Sequence, residues 1–191
     1  DAEVVIRRTG PSGPTLDGNF FVGFKASDNG DGTWHYEYAV HNMNSHRSCG
    51  SLRIPVGNSV AVTNIEFHDV EYHSGEPYSG TDWTATLEPD AIVWATQDHS
   101  VNQDANAIRW GTTYSFRFDA DAPPISLPAN LGLFRPKAHG ADPDELTVNV
   151  FAPGTDCNAN GIEDGQESIS IAMLPQTESV QQGGDLFYDI E

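Results

Sequence analysis

Residues 33–42, T-W-H-Y-E-Y-A-V-H-N, alternate with a period of two. Trp34, Tyr36, Tyr38 and Val40 fall on one side, and His35, Glu37, Ala39 and His41 on the other. Only an extended chain turns successive side chains to opposite faces, so this pattern dictates a strand with one buried face. The same alternation recurs in Phe20, Val22 and Phe24 against Phe21, Gly23 and Lys25. It returns in Tyr114, Phe116 and Phe118 against Ser115 and Arg117, and in Leu146, Val148 and Val150 against Thr147 and Asn149. Helical periodicity is nearly absent. Between 19–26 and 33–42 lies S-D-N-G-D-G-T, rich in residues that accept a positive φ and therefore a hairpin turn. The pattern predicts strands at 19–26, 33–42, 50–56, 60–72, 82–88, 91–96, 106–110, 112–119, 131–135 and 145–151. Short antiparallel strands punctuated by Gly, Pro, Asn and Asp predict an all-β sandwich of jelly-roll or immunoglobulin-like topology. Trp34, Trp83, Trp94 and Trp110 are expected to fill its core.

The 191 residues suffice for one large β domain with a tail. Net charge is −19, with only 9 Lys and Arg against 28 Asp and Glu. Nucleic acid and anionic membrane surfaces both need a basic face, so neither is an expected partner. No apolar run approaches the length of a membrane-spanning helix. A chain that opens on Asp1 suits a mature exported protein.

The sandwich is expected to cover 1–153, closing near Ala152-Pro153-Gly154. The next segment, D-C-N-A-N-G-I-E-D-G-Q-E (156–167), carries oxygen side chains at Asp156, Asn158, Asn160, Asp164 and Glu167. Gly161 stands where such a loop must turn sharply, and Ile162 offers its carbonyl oxygen. A hard cation takes six to eight oxygens, and this is the spacing of an EF-hand type calcium loop. The bland alternative is an acidic, Asx/Gly-rich surface turn. Pro153 and Gly154 precede the loop and Ser168-Ile169-Ser170-Ile171 follow it, so the loop stands without flanking helices. Residues 154–168 are therefore taken as a calcium-binding loop. Residues 169–191 form a tail with two apolar, strand-like segments, I-S-I-A-M-L (169–174) and D-L-F-Y-D-I (185–190). The tail is expected to pair within its own subunit or to be donated to a neighbour.

The form D-x-N-x-N-G-x-x-D resembles the calcium repeats of thrombospondin type 3 and dockerin modules. With its cysteine, D-C-N-x-N-G-I-x-D resembles a motif near the ends of large secreted, planctomycete-like bacterial proteins, and the stretch 28–42 resembles parts of them more loosely. The close resemblance covers about a dozen residues. It implies secretion and bound Ca2+, and no particular activity. Family members often carry a second cysteine after the last aspartate, where this chain has Gly165-Gln166. In an exported protein the two cysteines, Cys49 and Cys157, suggest one disulfide, with two buried thiols as the alternative. Such a disulfide would contribute roughly 3–5 kcal/mol in the chain-entropy model.

Other chemistry is weaker. His68, Asp69, Glu71 and His73, joined by His99 or His46, could approach a metal, though a solvated strand face is the simpler reading. Asp28-Asn29-Gly30-Asp31-Gly32, and the group Asp98, Asp104 and Asn106, are incomplete as second calcium sites. No G-x-S-x-G elbow occurs, and His46 with Cys49 is no positioned dyad. The sequence thus points to a non-catalytic, secreted, calcium-binding structural protein of the cell surface or matrix, self-assembling through its tail or edge strands. A carbohydrate-binding module with Tyr72, Tyr78 or Trp83 as stacking residues is the first alternative, and an unrecognised hydrolase or metal enzyme the second.

Overall fold

A computed structural model describes residues 2–9, 16–71, 75–137 and 142–154, with side chains from residue 18 onward. The described chain forms ten strands and no helix. They are β1 (Ala2–Thr9), β2 (Leu16–Asp28), β3 (Trp34–Asn42), β4 (Cys49–Pro55), β5 (Val62–His68), β6 (Thr84–Glu88), β7 (Ala91–Ala95), β8 (Thr113–Ala120), β9 (Pro124–Leu133) and β10 (Glu145–Pro153). Two five-stranded antiparallel sheets result, ordered β1-β2-β3-β8-β5 and β10-β9-β4-β7-β6. Among the described residues no helix is long and apolar enough to cross a membrane.

The expected hairpin is present: β2 and β3 pair from Phe20↔Asn42 to Asp28↔Trp34. Gly30 and Gly32 take φ of 79° and 91° in its turn, and Asn29 N–H closes it on the Thr33 carbonyl at 3.0 Å. The alternating aromatic residues of β3 and β8 point inward. Tyr36 and Phe118 stack at 5.1 Å, and Trp94 from the second sheet meets Phe116 edge-on at 5.4 Å. Buried phenolic groups keep partners: Tyr36 donates to the Ala122 carbonyl at 2.8 Å, and Tyr38 to that of Phe151 at 2.6 Å.

Several expectations are corrected. A strand at Ala2–Thr9 was not foreseen, and β2 begins at Leu16 rather than 19. The pattern predicts only 131–135 near β9, which runs from Pro124 to Leu133. Prolines 124 and 128 concealed it, because proline lacks a ladder donor. Both lie beyond the part of β9 paired with β4, which ends at Asn130, and so face β10 alone. Residues 106–110 form no strand, only an isolated bridge between Cys49 and Ile108. The predicted 60–72 strand shortens to Val62–His68. Trp83 and Trp94 lie in the core and Trp34 packs against it, but Trp110 is 65% exposed.

Candidate functional site

The predicted calcium ligands Asp156, Asn158, Asn160, Ile162, Asp164 and Glu167 lie outside the described residues, as do Cys157 and the tail. β10 ends immediately before them. Gly57 N–H bonds the Pro153 carbonyl at 3.2 Å, and Gly154 N–H bonds that of Pro123 at 3.3 Å. Cys49 is a buried thiol that donates to the Ser51 carbonyl at 3.2 Å. Burial pushes it up to about 12, so it carries no thiolate character.

Among the described residues, no three His, Cys, Asp or Glu side chains gather as a metal site. His68 is exposed at the end of β5, and Asp69 accepts from Asn106 Nδ2. His46 Nε2 lies 3.1 Å from Arg135 Nη1, and the His99 ring meets Phe134 at 5.1 Å. Glu71 is exposed, and His73 lies outside the described residues. Asp28 and Asp31 are consumed by the hairpin: Asp28 accepts Gly30 N–H at 2.7 Å, and Asp31 accepts both N–H and O–H of Thr33. Asn106 is not a ligand but a buried structural hub, holding Thr81 and Asp69 while Tyr114 donates to its amide oxygen.

The stacking residues expected for a glycan are also placed otherwise. Trp83 is buried, donating its indole N–H to the Asn106 carbonyl. Tyr78 lies half-buried with the Arg109 guanidinium 4.1 Å from its ring centroid. Tyr72 lies outside the described residues.

The sheet edges differ sharply in character. β5 is interrupted by a register shift between Thr63 and Glu66, with Asn64 at φ 52°, a device that blunts an edge. On the opposite side β10 packs against β1 and β2. β6 is different: among the described residues Thr84-Ala85-Thr86-Leu87-Glu88 pairs only with β7, and it is exposed at all five positions. Ala85 and Leu87 oppose Trp94 and Ile92, which are fully buried. They therefore belong to the inner face, yet Leu87 is 55% exposed because sheet two extends past its cover. β6 has no Lys, Pro or bulge to discourage pairing. An uncovered edge strand with apolar residues on its inner side and an outward row of N–H and C=O groups can accept another strand. Composition alone hid this, since T-A-T-L-E reads as an ordinary half-buried strand.

No protein-family model matches the chain, and no curated protein matches it in sequence.

Proposed function

We propose that this chain is a non-catalytic, secreted structural subunit that self-assembles by strand addition, with Ca2+ stiffening the joint between sandwich and tail. The observation that carries this reading is β6, exposed along its length, with Ala85 and Leu87 on its inner side and, among the described residues, no partner on its outer edge. The sandwich, of jelly-roll or immunoglobulin-like kind, supplies a rigid body. The apolar segment 169–174 or 185–190 of a neighbouring copy supplies the added strand. A donor on one surface and an acceptor on another make a heterologous contact, which propagates as a filament unless it closes into a ring. Asp156, Asn158, Asn160, Asp164 and Glu167, with the Ile162 carbonyl, form an all-oxygen donor set suited to Ca2+. The loop begins two residues beyond Gly154, so an ion bound there would fix the direction in which the tail leaves β10. The setting is the cell surface or extracellular matrix.

Electron microscopy of the purified protein in millimolar Ca2+ is expected to show filaments or arrays, and Leu87→Lys to abolish them. The substitution places a charge on the apolar inner side of an exposed edge, so the monomer should stay folded, with a urea midpoint near that of the wild type. Monodisperse particles from the wild-type protein under all conditions would sink the assembly reading. A second expectation concerns the loop. Asp156→Ala with Asp164→Ala removes two of the three carboxylates in the proposed ligand set, so the melting temperature ceases to respond to Ca2+. The wild-type protein should melt higher in Ca2+ than in chelator, as mass action requires of a ligand that binds the folded state. An unchanged wild-type value would exclude a folded-state calcium site.

A further inference from the structure

At one end of the sandwich, His46, Glu76, Tyr78, Arg109, Trp110 and Arg135 line a cleft of about 500 Å³. The volume suits a small molecule rather than a protein segment. Three of the chain's 9 Lys and Arg gather here, because Arg47 Nε donates to the Arg135 carbonyl at 2.9 Å. In a chain of net charge −19, three other cations are matched with carboxylates, and Arg47 itself lies 3.9 Å from Asp144. Arg53 reaches Asp90 at 2.8 Å, Arg117 reaches Glu66 at 2.5 Å, and Lys137 reaches Asp144 at 2.7 Å. Arg109 and Arg135 have no carboxylate within 4 Å among the described residues.

Arg109 is the more unusual of the two. It is only 5% exposed, with its guanidinium between the rings of Tyr78, at 4.1 Å, and Phe134, at 4.7 Å. Its Nη2 donates to the carbonyls of Gln103 and Ala105, at 3.0 and 2.9 Å. Its Nε and Nη1, and Nε of Arg135, have no hydrogen-bond partner among the described residues. Burying a guanidinium with two idle donors beside a second one is costly unless an anion completes the group. Burial weakens Arg109's hold on its proton and the charge of Arg135 weakens it further, against Tyr78, Tyr114 and the more distant Asp104. A bound carboxylate would reverse that balance by facing both cations.

The neighbour of this cationic pair decides the rest of the ligand. Trp110 is 65% exposed on the rim, unlike the other three tryptophans, which pack in or against the core. A flat indole beside a guanidinium pair fits a pyranose ring that bears a carboxylate, with the apolar ring face on the indole. Glu76, also on the lining, can accept hydrogen bonds from sugar hydroxyls. We infer that this cleft binds an acidic sugar, with its carboxylate on Arg135 and Arg109 and its ring against Trp110. The inference is independent of β6 assembly.

Isothermal titration of the full chain with glucuronate, glucose and acetate tests it, with tryptophan fluorescence as a second readout. Glucuronate should bind at least tenfold more tightly than either control and change the emission. Arg135→Gln and Trp110→Ala should each weaken glucuronate at least tenfold. Both residues lie at or near the surface, so both variants should keep the wild-type urea midpoint. Acetate binding as tight as glucuronate would show a bare anion site and overturn the sugar. Glucuronate no tighter than glucose, or affinity indifferent to both substitutions, would overturn the site itself.

Discussion

Asn106→Ala is expected to lower stability by about 3 kcal/mol or more, seen as a fall in the urea midpoint with an unchanged slope. The side chain is buried and ties together three separate segments. Its amide donates to Asp69 beyond β5 and to the Thr81 carbonyl at 2.9 Å before β6. Its oxygen accepts from the Tyr114 hydroxyl on β8, which also lies 3.2 Å from the Ala107 carbonyl. Alanine leaves the half-buried Asp69 carboxylate and the Thr81 carbonyl each short of a donor, at about 1–3 kcal/mol for each unsatisfied group. The Tyr114 hydroxyl keeps one fallback acceptor, so the Asp69 and Thr81 losses dominate. Gln97→Ala, on the exposed surface nearby, should stay within about 0.5 kcal/mol of the wild type. Equal midpoints for Asn106→Ala and the wild type would show that water replaces the network at no cost.

Gly18→Ala is expected to cost a comparable amount, for a steric reason. Gly18 sits in β2 opposite Arg8 of β1 with φ of 141°, a conformation L side chains rarely adopt. A Cβ there would fall 2.4 Å from Ser45 Cα and 2.5 Å from Ser45 N. These are backbone atoms in a turn that is itself fixed: Asn19 N–H bonds Asn44 Oδ1 at 2.7 Å, and Met43 N–H bonds the Asn19 carbonyl at 3.0 Å. Neither side can yield by a rotamer change. Strain and overpacking each contribute about 1–3 kcal/mol. By contrast, the one close contact for Gly132→Ala is the Ser51 hydroxyl at 2.1 Å, with Ser51 Cβ at 3.5 Å and its backbone N at 3.9 Å, so a side-chain rotation relieves most of the clash. A thermal melt ranking Gly18→Ala well below Gly132→Ala is the expected outcome. The reverse order would mean that the 43–45 turn moves freely.

The β2–β3 hairpin was legible because the pattern and the turn agree: aromatic residues alternate on both sides of a stretch that tolerates positive φ. β8 and β10 were legible for the same reason. β9 was not, because its prolines speak against a strand, and only the pairing partner on each side shows that they are harmless. Trp110 misled because an aromatic residue carries the same letter in a core as on a rim. The cleft was also invisible in sequence. His46, Arg109 and Arg135 belong to three distant segments, and no local spacing announces that two guanidinium groups converge. The calcium loop has the opposite character, since a short loop supplies its own ligands in order and its chemistry can be read from twelve residues.

Local pattern is enough to tell that the chain is extended, which face of each aromatic strand is apolar, and where the clearest hairpin turns. Those are properties of one backbone and its immediate neighbours, fixed by the two-residue period and by φ. Which strands share a sheet, that β6 projects beyond its cover, and that two arginines without a carboxylate partner among the described residues line one cleft with an exposed tryptophan became settled only on folding. Each of those depends on residues far apart in the chain, whose burial and charge balance exist only once the two sheets have closed on one another.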